Sequence, residues 1–366
     1  MQAYRRGKLY RWGVIALCLV VAAVCGYTTQ SLAVTKRGIV IGLGLDRQAE
    51  EYVVSVQMMQ AGAGNSPDSP AMYEVVVGRG ATVREAMADV TKKTSLYPSY
   101  AHCKVLVVGE DMLSHSSLDD VMISFMHSNE LGNVQVLAAS GMAYDMITAT
   151  VAISPTTSAY IERDNQLVSK FGGRRLVSLK DYCQRVDGKS GNKFLPYAVA
   201  VPAEKPTGGD AVEDKRSPVL YDLLHTAAFD EHGKVHVYGE QITLAVGLVE
   251  TKGGQFTAYD EAGRYVTVKI DEARRTRTYA PHTVEGHYVY EVSVVEQTLA
   301  EGDPPSAEVE SLVARRMDEA MAEAFDTCRA DGVDIFSVGG HLYKRYGEVT
   351  PVEECRWLRN IEVKCK

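Results

Sequence analysis

The chain has 366 residues, of which 46% are hydrophobic and 23% are charged, and its formal net charge is −8. This composition excludes a largely disordered chain and a membrane protein with many spans. The length is enough for two or three domains of roughly 100 to 200 residues each.

A basic and then apolar segment opens the chain. Four basic residues precede an uncharged run over residues 12–35: Arg5, Arg6, Lys8 and Arg11. This order is typical of an export signal or a membrane anchor, and the positive charge predicts that the remainder lies on the outer side of the membrane. The strongly apolar residues 12–27 are fewer than the roughly 20 that cross a bilayer, unless residues 28–34 extend them. We therefore predict a signal or anchor over residues 1–35.

Three fates of this segment stay open. It is an uncleaved membrane anchor, a signal cut near Ser31 and Ala33, or a lipoprotein signal whose acylated cysteine is Cys25. Val24 is bulkier than the small residue that normally precedes an acylated cysteine, so the sequence around Cys25 departs from the lipoprotein pattern.

The remainder of the chain is more acidic than the whole. The first eleven residues hold no Asp or Glu, so removing their four basic residues leaves 35 Lys and Arg against 47 Asp and Glu, a formal charge of −12. Because binding to nucleic acid or to an anionic membrane surface requires a basic surface, this balance disfavours both.

Residues 36–151 alternate strand and helix patterns and predict a first α+β domain. Apolar runs predict strands over residues 38–45, 52–59, 72–77, 103–108 and 134–139. Helical patterns cover residues 82–94, 118–127 and 143–150. The first of these helices opens with Thr82 and, three residues later, Glu85, which together form a capping box.

Residues 152–254 predict a less regular middle domain. Helices are predicted over residues 157–171 and 178–186, and strands over residues 197–201, 225–229 and 235–238, the last two forming a hairpin. Residues 202–218 are rich in Pro, Gly and charge, which is typical of a mobile loop.

Residues 255–366 predict a C-terminal α+β domain with strands over residues 265–270 and 288–295 and a long helix over residues 307–330. One face of that helix is apolar, through residues three or four apart: Val309, Leu312, Val313, Met317, Met321, Phe325 and Cys328. The unambiguous stripe lasts only about three turns, which favours packing against the neighbouring strands over a coiled-coil dimer seam.

No motif predicts a metal or a phosphate site. His232 and His236 have the spacing of helical zinc ligands, but Gly233 between them and the hairpin pattern argue against a helix, and no third ligand is evident. Gly38, Gly42 and Gly44 lie inside a strand pattern and do not open a helix, so close packing explains them better than a phosphate loop. We expect no cofactor.

One pattern suggests an enzyme. Ser190 and Lys193 have the Ser-x-x-Lys spacing of the nucleophile motif in penicillin-binding enzymes. They lie in a glycine-rich loop rather than at a helix start, and the companion Ser-Asp-Asn and Lys-Thr-Gly motifs are absent. An exported cell-wall serine enzyme using Ser190 and Lys193 is therefore the alternative, and a non-enzymatic protein is the prediction.

Cysteines give no clear disulfide framework. Cys18 and Cys25 lie in the apolar segment, and the remaining five cannot all pair. Cys328 lies on the apolar helix stripe and is predicted to be a buried thiol. The sequence leaves open whether Cys355 and Cys365 form a disulfide bond.

Six segments, in the same order along the chain, resemble the Ger(x)C family, the C subunits of bacterial spore germinant receptors. The most specific is Asp-Ile-Phe-x-x-Gly, here Asp334 to Gly339, directly after the long helix. Another is the His-x-x-hydrophobic-Gly-Glu strand, which runs from His102 to Glu110. The other four cover residues 38–46, 52–57, 134–147 and 227–240.

The resemblance implies a fold and a role. It implies three mixed α+β domains in an elongated, non-catalytic ectodomain on the outer face of the spore inner membrane. It also implies assembly with the membrane-embedded A and B subunits of a nutrient receptor. Family members usually carry a clear lipoprotein signal, from which the sequence around Cys25 departs.

Overall fold

The computed structural model describes residues 14–18, 20, 37–59, 73–127, 131, 133–149, 156–171, 177–187, 193–202, 219–298 and 306–366. Two β-sheets organise this part of the chain, one of nine strands and one of four. Helices pack against both sheets, which confirms the predicted α+β class.

The large sheet contains nine strands in the order β3-β2-β1-β5-β6-β7-β8-β9, with β4 paired to the start of β1. Its centre is parallel, since β1, β5, β6 and β7 run in one direction, while both flanks are antiparallel. Its strands are β1 Arg37–Gln48, β2 Glu51–Met59, β3 Tyr73–Gly80, β4 Tyr97–Ser99, β5 Val105–Val108, β6 Gln135–Ala139, β7 Phe194–Pro202, β8 Val219–Phe229 and β9 Val235–Tyr238.

Helices cover both faces of the parallel centre. The helices are α1 Val83–Thr94, α2 Glu110–Leu113, α3 Leu118–His127, α4 Ala143–Thr148, α5 Thr157–Phe171, α6 Leu179–Asp187 and α7 Glu240–Glu250. Side chains from α3 and α6 share a core with Leu106 and Val108, whereas α4 and α5 share a second core with Val105 and Val107. Burial on both faces explains why β5 is apolar throughout.

The small sheet has the order β10-β11-β12-β13. Its first three strands are antiparallel, and β13 lies parallel to β12 after a helical crossover. The elements are β10 Gly254–Tyr259, β11 Tyr265–Ala280, β12 Thr283–Gln297, α8 Ser306–Ala330, α9 Val338–Tyr346, a 3₁₀ turn Val352–Glu354 and β13 Arg356–Cys365. The apolar stripe of α8 is buried along its whole length, so the predicted core packing is confirmed.

Several elements differ from the sequence prediction. The predicted strands 265–270 and 288–295 are parts of the much longer β11 and β12. The elements α7, α9, β10 and β13 were not predicted. The large sheet is also continuous across the boundary predicted at residue 151, because β7 pairs with β6. The division into three domains therefore remains a prediction.

The predicted signal or anchor falls almost entirely outside the described residues. Of residues 1–35, the structure describes only residues 14–18 and 20, which are helical and exposed. Within the described part of the chain, no helix has both the length and the apolar character needed to cross a membrane. Cys25 lies outside the described residues.

Candidate functional site

The segment after the long helix is folded around the carboxylate of Asp334. Its Oδ1 accepts the N–H of Val338 at 2.7 Å, and its Oδ2 accepts the N–H of Gly340 at 3.1 Å. These amides lie in the first turn of α9, where a helix supplies no internal acceptor. Asp334 therefore caps α9, and burial raises the pKa of its carboxyl to about 7.

Next to this cap, aromatic rings join three elements. The ring of Phe336 lies 4.8 Å from that of Trp357 on β13, and the ring of Phe325 on α8 lies 5.5 Å from the same tryptophan. The Asp-Ile-Phe-x-x-Gly segment thus closes the core of the small sheet. Its aspartate cap and its phenylalanine have structural roles, and the segment also forms one wall of a cavity.

This cavity lies between the small sheet and the helices that pack on the large sheet. It has a volume of about 580 Å³, and its walls come from α6, the end of α7, β11 and the start of α9. We call it the basic cleft and define it by its ionisable lining: Asp181, Arg185, Glu250, Lys252, Arg275, Arg277, His341 and Lys344. Five cationic side chains against two carboxylates give it a positive charge within an acidic protein.

One ion pair joins the two helices that line the basic cleft. Arg185 on α6 lies 3.4 Å from Glu250 on α7, measured from Nη2 to Oε2, and the two side chains are only 8% and 14% exposed. The guanidinium of Arg185 also lies 4.0 Å from the centre of the Phe194 ring, in cation–π geometry. Pairing and packing therefore fix this arginine in place.

The strand β11 contributes two further arginines. Arg275 and Arg277 are two residues apart, so they lie on the same face of the strand. Arg275 donates from Nη2 to the carbonyl oxygen of Leu248 at 3.3 Å, and burial lowers the pKa of its guanidinium. Together with Lys252 and Lys344, these arginines form no ion pair with any carboxylate in the described part of the chain.

His341 lies between the cationic groups. Burial, followed by the charges of Arg277 and Lys344, lowers the pKa of its imidazole to about 4. The ring is therefore neutral at pH 7 and has one donor and one acceptor nitrogen.

The enzyme alternative receives no support from Lys193. Its Nζ lies 2.7 Å from Oδ1 of Asp119 and 4.2 Å from the centre of the Phe229 ring. The hydroxyl of Tyr182 also donates to Asp119, at 2.7 Å. Lys193 is thus engaged in a structural ion pair, whereas a catalytic amine must be available to accept a proton. Ser190 lies outside the described residues.

Neither the histidines nor the cysteines form a reactive cluster. No three His, Cys, Asp or Glu side chains of the described residues are placed to hold a metal ion. His232 is 83% exposed, while His236 lies 3.5 Å from Asp230 on the protein interior side of the hairpin. Cys355 and Cys365 are free thiols, so the bridge between them is absent, and Cys328 is buried as predicted.

The sequence reasoning missed the basic cleft. Its lining comes from four segments that lie far apart in the chain, and no single segment carries a recognisable motif. One usable signal was the alternation of basic residues over residues 274–277, Arg-Arg-Thr-Arg, which places Arg275 and Arg277 on one strand face.

Of the comparisons with known proteins, the match to one family model supports the family prediction. A solved structure, "Crystal Structure of the GerBC protein", is similar at 14% sequence identity and a TM-score of 0.49, over 88% of this chain and 96% of that chain. No curated protein matches. Residues 31–200 match the family model described as "Spore germination protein N-terminal domain". The region from residue 31 to residue 200 is therefore similar to the N-terminal domain of spore germination proteins.

Proposed function

We propose that the chain is the C subunit of a nutrient germinant receptor and acts in spore germination without catalysing a reaction. The observation that carries this proposal is the family match over residues 31–200. The segments resembling the Ger(x)C family continue beyond that match, and the last of them folds as the cap and core of the small sheet. The proposed partners are the A and B subunits embedded in the membrane.

We also propose that the chain lies on the extracytoplasmic face of the spore inner membrane. The basic residues before the apolar segment support this orientation, because positive charge is retained on the cytoplasmic side. The anchor is either the apolar segment itself or a lipid on Cys25.

Gene deletion tests the function. Spores that lack the chain and any redundant copy are expected to lose their response to at least one nutrient, and the intact gene is expected to restore it. The loss of spore refractility after addition of single nutrients measures the response. Copurification from spore membranes with a tagged chain is expected to recover both membrane subunits. Normal germination with every nutrient tested would contradict the proposal.

Fractionation with lipid labelling tests the anchor. We expect the chain in the membrane fraction. A lipid label that disappears in Cys25→Ala identifies acylation, and retention without any label identifies a spanning helix. Release of the unmodified chain into the soluble fraction contradicts both forms of anchoring.

A β-lactam probe tests the non-enzymatic part of the proposal. Because Lys193 is bound to Asp119, no covalent labelling is expected. Labelling of the intact chain that is lost in Ser190→Ala would establish the serine-enzyme alternative.

A further inference from the structure

We propose that the basic cleft binds a small, polar organic anion through a carboxylate or phosphate group. This goes beyond the proposed receptor role, since it assigns a ligand class to a cavity of this chain alone. The inference rests on the charge, the hydrogen-bonding capacity and the size of the cleft.

The charge of the basic cleft is unusual for this protein. The whole chain carries a formal −8, yet the cleft gathers five cationic side chains and two carboxylates. By contrast, Arg274 on the same strand pairs with Glu272 and Glu291, and Arg359 pairs with Asp318. Cations that share a cavity repel each other, and an anion bound among them relieves that repulsion.

The cleft also offers hydrogen-bond donors. The Nε of Arg275 is shielded from solvent and meets no acceptor in good geometry among the described residues, while the same guanidinium donates from Nη2 to Leu248 and also interacts with the hydroxyl of Tyr290. Buried N–H groups are normally satisfied, so a donor without an acceptor marks a place where a ligand oxygen or water is needed. The planar guanidinium matches the geometry of carboxylate and phosphate oxygens.

The volume and lining limit the size and polarity of the ligand. At about 580 Å³ the cleft falls within the range of roughly 300 to 1,000 Å³ that small-molecule sites occupy. Only three apolar side chains contribute to the lining, those of Val249, Ala273 and Phe336. A compact polar molecule fits this surface, whereas a long hydrocarbon chain does not.

Calorimetric titration of the full chain, purified in detergent, tests the proposal. Succinate probes the carboxylate arm and glycerol 3-phosphate the phosphate arm, each against sodium chloride at equal ionic strength. We expect saturable binding of at least one probe. The probe that binds identifies the anionic group, and saturation by neither probe would overturn the proposal.

Variants locate the binding. The double variant Arg277→Gln with Lys344→Gln is expected to weaken binding at least tenfold, because it removes two of the unpaired cations. Lys252→Gln changes an exposed position after α7 and is the second variant. It is expected to weaken binding at least threefold. The matched control is Arg274→Gln, which removes a paired cation of β11 that does not line the cleft.

Binding in the control is expected to stay within twofold of the original protein. Circular dichroism spectra and the Tm establish that each variant is folded. A loss of affinity in Arg274→Gln equal to that in the cleft variants would show that the anion is held by general electrostatic attraction. Unchanged binding in both cleft variants would show that the anion binds elsewhere. Either result overturns the proposal. Since binding is measured on the purified chain, the result is independent of the role in germination.

Discussion

The buried carboxylate of Asp46 accepts the N–H of Ala143 at 2.7 Å. Its second oxygen accepts the N–H of Tyr144 at 2.9 Å. Both amides lie at the start of α4, where Met142 in the capping position has no side-chain acceptor to offer. An aspartate at the end of β1 thus caps a helix almost a hundred residues later and joins that helix to the sheet.

Replacing this cap destabilises the protein. Asp46→Ala leaves the buried amide of Ala143 and the partly buried amide of Tyr144 without this acceptor, and we expect the free energy of unfolding to fall by about 2 kcal/mol. Asp46→Asn retains one acceptor oxygen and is expected to cost less. Urea unfolding measures both changes. An alanine variant as stable as the original protein would contradict the capping role.

Gly42 is required by a close approach between β1 and α5. A Cβ at this position would lie 1.8 Å from Oγ and 2.8 Å from Cβ of Ser158, which is completely buried. Gly42→Ala is therefore expected to lower the free energy of unfolding by about 2 kcal/mol, a typical cost of overpacking. Gly239→Ala is the control, because no atom lies within 4 Å of its Cβ position. Equal stability of the two variants would contradict this explanation.

Local patterns predicted those elements whose burial is one-sided. The stripe of α8 follows the helical period because only one face is buried. Thr82 caps α1 as predicted, since it accepts the N–H of Glu85 at 3.2 Å, whereas the carboxylate of Glu85 accepts the N–H of Ala81 instead of that of Thr82. In α7, six of eleven residues are buried and few are charged, so its sequence shows no clear helical period. In β13 only Trp357 and Val363 are buried, so few core residues mark the strand in the sequence.

The basic cleft and the Asp46 cap could not be predicted from local patterns. Both depend on contacts between segments that the chain brings together only after folding. Arg185 and Glu250 are separated by 65 residues, and Asp46 and Ala143 by 97. A single sequence contains no periodic signal for such pairs.

Trp357 holds the core of the small sheet together. Its ring contacts Phe325, Phe336 and Tyr288, and the residue is 6% exposed. Trp357→Ala is expected to reduce the free energy of unfolding by about 4 kcal/mol, since it removes a large buried side chain. The next residue of β13, Leu358, is 53% exposed. Leu358→Ala is expected to cost about 0.5 kcal/mol or less, and chemical denaturation compares the two.

The ion pair between Arg185 and Glu250 couples α6 to α7. Glu250→Gln removes the carboxylate charge that faces the buried guanidinium, and we expect the free energy of unfolding to fall by about 3 kcal/mol. The exposed pair of Arg329 and Asp326 serves as the control, with an expected cost below about 1 kcal/mol for Asp326→Asn. A double-mutant cycle with Arg185→Met measures the coupling, and the absence of coupling would contradict a direct interaction.

Asp334 makes stability depend on pH in a direction that can be checked. Burial raises its pKa from the ordinary 3.8 to about 7, so between about pH 4 and pH 7 the folded protein retains a proton that the unfolded chain has lost. The contribution of this residue to stability is complete below about pH 4 and decreases up to about pH 7, with a slope of at most about 1.4 kcal/mol per pH unit.

Asp334→Asn isolates that contribution, because the amide resembles the protonated carboxyl and does not titrate. We expect the stability of the asparagine variant, relative to the original protein, to increase steadily from pH 4 to pH 7 and then to level off. Urea unfolding at a series of pH values measures this difference. The asparagine side chain retains one acceptor for the amides of Val338 and Gly340, so α9 stays capped in part. A difference that does not change with pH would show that the buried carboxyl titrates at its ordinary pKa, as it would if the Asp334 cap opened to solvent.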